Sequence, residues 1–337
     1  MKYKDAGVNI EAASKAVDVI KMLLSKHQPK HAKNIGKFAG GYPLGKITDS
    51  DFVLSASVDG VGTKTKMAVA TNTYEVVGYD IVAHCINDLM VQGGTPLFFM
   101  DYIAMGTLSI SVLKQLFKGM LKCADESNVA IIGGETAEMP GIYKDNDFDL
   151  VGFIVGICKQ KNAFPRRLKI GDAIIGINSS GLHTNGFSLI RKIIHECNLD
   201  INFRETALKN TLAHALMQPH LCYYRVLRTL IKKNLLQAAA HITGGGIQGN
   251  LNRVLTPDLN AVIKKGSWRY PPLFDFIQQH GNVPEDDMYS TFNMGLGMII
   301  VVRETDVEAN MKNIINTHYK PYLVGKITSG NGEVILE

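Results

Sequence analysis

The chain has 337 residues and a mass of 37.0 kDa, a length that corresponds to about two domains. Its composition, 46% hydrophobic and 20% charged, excludes a disordered chain and supplies enough apolar residues for a sizeable core. Lys and Arg exceed Asp and Glu by 36 − 31 = 5, a mild excess that suits a phosphorylated small molecule as well as nucleic acid. The five cysteines lack CxxC spacing, and no signal sequence or long apolar run occurs, so we expect a soluble, cytoplasmic protein.

In the first half of the chain, apolar periodicity predicts helices that alternate with strands. An amphipathic helix is predicted over 11–26, and a glycine-rich stretch over 36–45 is typical of a loop. The further predicted elements are strands over 53–58, 96–104 and 148–158, a short buried strand over 129–132, and helices over 75–92 and 109–125.

The pattern breaks around 165–171, where a basic pair precedes a new strand, and we place a domain boundary there. The predicted domains are residues 1–165 and 166–337, both of the α/β (α+β) class. The second half is predicted to hold strands near 173–178, 238–242, 260–264, 297–302, 322–327 and 333–336, and helices near 186–196, 221–233 and 305–316.

A glycine-containing loop follows the strand that ends near residue 58. Asp59 opens this loop, Gly60 and Gly62 leave room for a ligand to approach the backbone, and Lys64 could neutralise phosphate charge. The order D-G-x-G-x-K is not a Walker A motif. A plain strand-to-helix turn with a surface lysine is an equally good interpretation of this motif taken alone.

Polar residues recur at helical spacing along the helix predicted over 75–92. Asp80, His84 and Asn87 fall on one face, with Asp88 about 80° further round. Carboxylate and amide oxygens suit Mg²⁺, whereas imidazole favours softer metals. We therefore predict a magnesium site that leaves out His84, because a single helical histidine is more often a packed or surface residue.

Two carboxylates follow a pair of glycines near residue 133. Gly133 and Gly134 come directly after the short predicted strand, which would put Glu135 at the carboxyl end of that strand, where ligands of open α/β sheets gather. In the alternative interpretation, Glu135 or Glu138 only caps the next turn.

Two loops of the second half precede predicted helices. Residues 179–186 bring small hydroxyl and amide side chains to a helix N-terminus, a typical anion site, and His183 could carry a proton there. Thr184 or Asn185 could instead be no more than the N-cap. Residues 244–246 form a second candidate phosphate loop, on weak evidence, and residues 294–298 indicate close strand packing.

Taken in order, these segments resemble the aminoimidazole ribonucleotide synthetase (phosphoribosylformylglycinamidine cyclo-ligase) family of purine biosynthesis. The G-G-E-T-A-E-M-P-G and S-G-L-H-T-N-G-F-S-L stretches are the most specific, whereas D-G-V-G-T-K is shared with other ATP-using relatives. The matching segments are residues 3–8, 59–64, 78–83, 85–88, 96–102, 133–141, 179–191, 241–246 and 291–298.

The resemblance implies an N-terminal α/β domain that pairs with its copy to form a central β-barrel, and a C-terminal domain of ferredoxin-like character. It also implies a ligase that converts formylglycinamidine ribonucleotide and ATP to aminoimidazole ribonucleotide, ADP and phosphate through a phosphorylated amide. The implied ligands are Mg²⁺, ATP and a phosphoribosyl substrate, in a homodimer without nucleic acid or membrane as a partner.

The predicted site residues come from the motifs described above. The predicted ATP-binding residues are Asp59, Gly60, Gly62, Thr63, Lys64, Asp80, Asn87, Asp88, Glu135 and Thr136, with Asp59, Asp80, Asp88 and Glu135 as metal ligands. The predicted substrate contacts are Ser180, Gly181, His183, Thr184, Asn185, Gly244, Gly245 and Gly246, and the predicted catalytic residues are His183 and Lys64.

The chain departs from the family pattern at three positions. Ala39 interrupts the early glycine loop, Gly249 replaces a glutamate after the triple glycine, and His84 stands where the family is commonly apolar. Two other functions stay open at this point, namely another ATP-dependent member of the superfamily and an RNA-binding module. The second is disfavoured because the basic residues form no dense stripe.

Overall fold

The computed structural model describes residues 40–43 and 51–337 of the chain. The strands are β1 (Gly40–Pro43), β2 (Phe52–Gly60), β3 (Thr95–Met105), β4 (Ala130–Glu138), β5 (Phe148–Lys159), β6 (Ala173–Asn178), β7 (Arg204–Glu205), β8 (Asn210–Thr211), β9 (Ala238–His241), β10 (Leu259–Ile263), β11 (Leu296–Val302), β12 (Pro321–Ser329) and β13 (Val334–Leu336). The α-helices are α1 (Lys64–Thr71), α2 (Tyr74–Met90), α3 (Ile110–Ser127), α4 (Phe187–Glu196), α5 (Leu212–Leu216), α6 (Tyr224–Lys232), α7 (Gly246–Leu251), α8 (Leu273–Gly281), α9 (Glu285–Thr291) and α10 (Val307–Ile315).

The first unit is built on a sheet of strand order β1-β2-β5-β3-β4. Its neighbouring strands are antiparallel except for the parallel pair β3 and β4. Helix α2 packs on one face of the sheet, and α3 packs against α2. On the opposite face Val58 and Met100 both lie beside Phe153 in register, and all three side chains are exposed. This face therefore carries a row of apolar side chains that no described element covers.

The second unit is built on a sheet of strand order β13-β10-β12-β6-β11-β9. Strand β11 is buried at every position and β6 at all but its last, which explains their continuous apolar sequences. Helix α10 packs on β12 and β6, and α6 packs on α10. The chain is thus a two-domain α/β protein.

Helix α2 is buried along nearly its whole length because it lies between the two units. Its apolar side, which includes Ile81 and Leu89, packs on the first sheet, where Gly152 and Gly156 leave room for these two side chains. Its polar side faces loops of the second unit, as the hydrogen bonds below show. Side chains on the apolar side of α2 therefore contact the first sheet, and those on its polar side contact the second unit.

Most of the predicted elements between residues 53 and 336 are confirmed, with ends that differ by a few residues. The prediction of a loop over 36–45 is wrong at residues 40–43, which form β1 and pair with β2. The helix predicted over 11–26 lies outside the described residues. Helices α1, α5, α8 and α9 were not predicted, and three of them have eight residues or fewer, too few for a repeated apolar pattern. The helix expected after the triple glycine is α7.

The short buried strand predicted over 129–132 is the largest error in the first unit. Strand β4 runs on to Glu138 and is largely exposed, because it lies at the edge of the sheet. Gly133, Gly134 and Glu135 therefore lie within the strand and not at its carboxyl end. Among the described residues, no helix is both long and apolar enough to cross a membrane.

Candidate functional site

The polar side of α2 forms a wall of side chains that packs against loops of the second unit. Asp80, His84, Asn87 and Asp88 were expected to project from neighbouring positions, and each of them contacts the second unit. The contacts join Asp80 Oδ1 to the His220 N–H (2.7 Å), His84 Nδ1 to Thr184 Oγ1 (3.0 Å), Asn87 to the Leu221 carbonyl and the Tyr223 N–H (2.9 Å each), and Asp88 Oδ1 to His241 Nδ1 (2.7 Å).

A buried ion pair lies at one end of this wall. Lys64 Nζ is 2.6 Å from Asp80 Oδ2, and neither side chain has any exposed surface. The same ammonium donates to the carbonyls of His183 (2.9 Å) and Gln218 (3.0 Å). Burial raises the pKa of Asp80, while Lys64 and the His220 N–H oppose this rise. The ammonium thus has three protein acceptors here, and the contact of Lys64 with a triphosphate stays a prediction.

His84, which the sequence prediction left out, lies at the centre of the wall. Its Nε2 is 3.0 Å from Asp59 Oδ2 and 3.9 Å from Asp88 Oδ2, and Asp59 is the more exposed of the two carboxylates. Burial lowers the pKa of His84, but Asp59 and Asp88 outweigh it and raise that pKa to about 9. Burial opposes ionisation of Asp59, yet His84 brings the pKa of Asp59 below its usual value.

The raised pKa of His84 predicts a loss of stability between pH 6.5 and 9.5. The stabilisation by the imidazolium is fully present below pH 6.5 and disappears as the pH rises through about 9. We expect the free energy of unfolding of the unmodified protein to fall by about 3 kcal/mol more across this range than that of His84→Gln. Buried thiols such as Cys85 and Cys123, whose pKa values are raised, lower the stability of both proteins alike. Urea unfolding of both proteins at a series of pH values measures the difference.

The difference between the two proteins reports the titration of His84 and not that of its neighbours, because burial keeps the pKa values of His183, His220 and His241 below 6.5. Their contributions to stability therefore change only at lower pH. Parallel curves for the unmodified protein and His84→Gln would contradict the assigned ion pair.

Four buried histidines meet beside this wall. His241 Nε2 lies 2.9 Å from His220 Nε2, and the His183 and His220 rings stack with centroids 4.0 Å apart. The His84 ring lies 5.1 Å from that of His241 and 5.2 Å from that of His220. The Nδ1 atoms of His183 and His220 have no hydrogen-bond partner among the described residues.

The loop that carries His183 has an unusual backbone. His183 adopts a left-handed conformation at φ 60°, and its Nε2 faces the N–H groups of Ser180 and Leu221, at 3.4 Å each. A Cβ at Gly297 of β11 would lie 2.4 Å from His183 Cε1, so only glycine leaves room for the imidazole ring here. This contact is an example of the close packing expected over residues 294–298. Such backbone strain is found at sites where a side chain must be held in one place.

The two loops predicted to bind substrate lie next to each other. A Cβ on Gly244 would lie 3.2 Å from Asn185 Oδ1, and Asn185 Nδ2 is buried without a partner among the described residues. Asn250 Nδ2 holds the second loop by donating to the carbonyls of Thr243, Gly244 and Gly246. A ligand could therefore contact both loops at once, near the free amide of Asn185.

Two glycines of α7 should respond differently to substitution by alanine, because a Cβ would have different surroundings at each of them. Gly246 has φ 62°, and a Cβ there would lie 1.7 Å from the Tyr289 carbonyl oxygen. We expect Gly246→Ala to lower the free energy of unfolding by about 2 kcal/mol. Gly249→Ala is the matched control, because its Cβ would meet nothing within 4 Å and alanine favours the helix. Equal urea midpoints for the two variants would contradict this description of the loop.

The remaining predicted residues lie at different distances from the wall. Asp59 and Gly60 end β2 and do not open the loop as expected, and Gly62 lies in the short turn before α1. Thr63 Oγ1 contacts Ser188 Oγ of α4 at 3.1 Å. Glu135 and Thr136 are exposed on β4, and Glu135 is in register with Gly60 three strands away, at about 14 Å. Within one chain, Glu135 is therefore not brought to Asp59 and Asp88.

His220 and His241 are site residues that the motifs did not single out. His241 ends β9 directly before the triple-glycine loop, so a polar residue at the carboxyl end of a strand was an available signal. His220 lies in a loop between α5 and α6 without any recognisable motif.

The carboxylates of the wall fit magnesium better than its imidazoles do. Mg²⁺ is usually bound through one or two carboxylates together with substrate phosphates, and Asp59 and Asp88 can supply these oxygens. Asp80 is bound to Lys64 instead. Arg253 adds positive charge to this region. Burial lowers the pKa of its guanidinium, and the nearby negative charges of Asp88 and Asp59 oppose this lowering.

Solved structures share this fold at low sequence identity. A thiamine-monophosphate kinase from Stenotrophomonas maltophilia K279a matches with a TM-score of 0.66 and 16% identity, over 95% of each chain. AaThiL complexed with AMPPCP and TMP matches with a TM-score of 0.67 and 13% identity, over 94% of this chain and 92% of the other. At these identities the likeness shows the fold alone.

Sequence relatives match at much higher identity. The phosphoribosylformylglycinamidine cyclo-ligase of Oceanobacillus iheyensis is 40% identical over 332 residues, 98% of this chain and 97% of the relative. That of Thermoanaerobacter pseudethanolicus is 41% identical over 339 residues and the whole of both chains. The chloroplastic enzyme of Arabidopsis thaliana is 39% identical over 333 residues, 98% of this chain and 82% of the relative.

Family models cover both units separately. The N-terminal domain of AIR synthase related proteins matches residues 44–158, and the C-terminal domain matches residues 169–337. The chain belongs to the AIR synthase related family, and its full-length relatives place it among the phosphoribosylformylglycinamidine cyclo-ligases.

Proposed function

We propose that this chain closes the imidazole ring of aminoimidazole ribonucleotide from formylglycinamidine ribonucleotide, with ATP converted to ADP and phosphate. The observation that carries this proposal is the identity of about 40% to cyclo-ligases over essentially the whole chain. The region beside α2 supports it, since it combines carboxylates for a cation with loops suited to a phosphorylated ligand.

The reaction needs an activated amide, because the oxygen of an amide is a poor leaving group. ATP phosphorylates that oxygen, and the nearby amidine nitrogen then attacks the same carbon and expels phosphate. The protein contributes mainly by positioning the two ligands and by neutralising charge. A magnesium ion bound with ATP would supply part of that neutralisation.

Within the first unit, we propose Asp59 and Asp88 as the residues that hold Mg²⁺-ATP, with the loop at Gly60, Gly62 and Thr63 close to the phosphates. Asn87 and Asp80 shape the wall through their contacts with the second unit. Arg253 would add positive charge near the phosphates, because it lies close to Asp59 and Asp88.

Within the second unit, we propose that residues 180–185 and 244–246 contact the phosphoribosyl substrate. The buried, unpartnered Asn185 Nδ2 is the clearest donor for it, and Thr184 is tied to His84. His183 would act as a neutral group at pH 7, because burial brings its pKa well below the usual value.

The decisive test measures ADP release by the purified protein with Mg²⁺-ATP, with and without formylglycinamidine ribonucleotide. We expect release that depends on this substrate and matches the aminoimidazole product one to one. Thiamine monophosphate serves as the comparison acceptor, since kinases for it share the fold. ADP release with thiamine monophosphate alone would overturn the proposed substrate and leave an ATP-dependent relative.

We also propose a cytoplasmic homodimer that joins through the uncovered face of the first sheet. The exposed row of Val58, Met100 and Phe153 supports this, because a second copy would bury it. The odd number of cysteines and their lack of CxxC spacing support a reducing compartment. We expect Phe153→Lys to elute as a monomer in size-exclusion chromatography with light scattering, while the exposed substitution Ile315→Lys leaves the mass unchanged. A dimer in both variants would contradict this interface.

A further inference from the structure

Three buried donor groups beside α2 lie close enough together to share one cation. The ligand atoms of His84, Asp88 and His241 all lie within 4.8 Å of one another, and all three residues are buried. Asp59 Oδ2 lies 3.0 Å from His84 Nε2 and adds a fourth donor beside them. Two imidazoles and one carboxylate, with room for a further oxygen, are the donors of many zinc and transition-metal sites.

The far nitrogen of each imidazole is held by a neighbour. His84 Nδ1 lies 3.0 Å from Thr184 Oγ1, which leaves Nε2 directed at the carboxylates. His241 Nε2 lies 2.9 Å from His220 Nε2, which leaves Nδ1 directed at Asp88. Metal-binding histidines are typically held in this way, because a partner on the second nitrogen fixes both the tautomer and the ring orientation.

We propose that His84, Asp88 and His241 form a binding site for a divalent transition-metal cation of the zinc class, with Asp59 as the adjacent carboxylate. Imidazole nitrogen raises the affinity for Zn²⁺ and Co²⁺ well above that for Mg²⁺, which prefers oxygen ligands alone, and binding releases any proton held on the ligating nitrogens. The site is defined by side chains of this chain alone, and it shares Asp59 and Asp88 with the proposed Mg²⁺-ATP site. Zinc and Mg²⁺-ATP would compete for these carboxylates, so the zinc measurement is made without nucleotide and does not depend on the proposed reaction.

A second group of histidines offers the nearest alternative. The ligand atoms of His183, His220 and His241 also lie within 4.8 Å of one another. However, the rings of His183 and His220 are stacked at an interplanar angle of 22°, so their in-plane lone pairs run side by side and do not converge. This group also lacks a carboxylate to balance the charge of a dication in a buried position.

The experiment is equilibrium dialysis of the full-length protein against Zn²⁺ alone, with bound metal counted by elemental analysis. We expect one equivalent of zinc per chain, retained in a large excess of Mg²⁺. We expect His84→Gln to weaken binding at least about 100-fold and His220→Gln to weaken it about 10- to 100-fold, since His220 only orients His241. Co²⁺ substitution adds a visible absorption band that reports nitrogen ligation.

Two controls keep the result interpretable. Glutamine at position 84 can still bond to Asp59 and Thr184, and circular dichroism with urea unfolding verifies that the variant is folded. The double variant His195→Gln/Cys197→Ser removes exposed groups that could collect zinc adventitiously. We expect it to bind zinc like the unmodified protein.

Three outcomes would overturn the proposal: unchanged binding by folded His84→Gln, loss of zinc in the double variant, or no stoichiometric binding by the unmodified protein. None of them bears on the cyclo-ligase assay with Mg²⁺-ATP. Conversely, failure of that assay would leave zinc binding by these side chains intact. The two proposals are therefore separated by their readouts.

Discussion

Replacement of Lys64 by methionine should lower the free energy of unfolding by about 3–5 kcal/mol. The substitution leaves the Asp80 carboxylate buried with the His220 N–H as its remaining donor, and it removes the donor to the carbonyls of His183 and Gln218. An uncompensated buried charge costs far more than the net contribution of the intact pair. Urea unfolding at pH 7.5 measures the loss.

The pH dependence and a second substitution identify the cause of this loss. Without the ammonium, the pKa of Asp80 should rise further above its usual value, so the folded state keeps a proton that the unfolded state releases. The deficit of Lys64→Met should therefore be smaller near pH 5 and grow with rising pH. Adding Asp80→Asn removes the charge and should restore part of the stability.

An exposed ion pair of the same length provides the matched control. Lys118 Nζ is also 2.6 Å from a carboxylate, that of Glu75, but the Lys118 side chain is 71% exposed. Lys118→Met should change the free energy of unfolding by less than about 1 kcal/mol. Similar losses for Lys64→Met and Lys118→Met would show that burial of the pair at Lys64 does not determine its effect.

Replacement of Asp88 by asparagine should lower kcat at least about 100-fold in the ADP-release assay with formylglycinamidine ribonucleotide. Asparagine retains the shape and an oxygen that can face His241 Nδ1, while the negative charge beside His84 is lost. The expected fall in kcat follows from the proposed role of Asp88, because the negative charge of this carboxylate would hold the cation that accompanies ATP.

The control for this substitution is Asp125→Asn, an exposed carboxylate of the same unit on α3. It should retain the kcat of the unmodified protein. Circular dichroism and the urea midpoint of Asp88→Asn distinguish a loss of activity from a loss of fold. A kcat of folded Asp88→Asn within about twofold of the unmodified value would remove Asp88 from the proposed site.

The fold was largely predictable from apolar periodicity, and the site only in part. Helical spacing placed Asp80, Asn87 and Asp88 on the side of α2 that now faces the second unit. His84 was on the same face and was still left out, although helical spacing places Asp88 one turn along from it. The missing information was its contact with Asp59, which depends on how α2 lies against the end of β2.

Other parts of the site could not be predicted because they depend on contacts distant in the sequence. The ammonium of Lys64 reaches carbonyls 119 and 154 residues away, which no local pattern encodes. The exposure of Glu135 follows from the position of β4 at the sheet edge, and a Gly-Gly pair does not distinguish an edge strand from the end of a buried one.

The position of α2 between the two units limits how this chain can exchange parts with its relatives. His84 belongs to the first unit, and its hydrogen-bond partner Thr184 belongs to the second. A chimera that joined this first unit to the second unit of a relative would need side chains at both positions that suit each other. The inheritance of the two halves is therefore coupled through this contact, although each half has its own sheet.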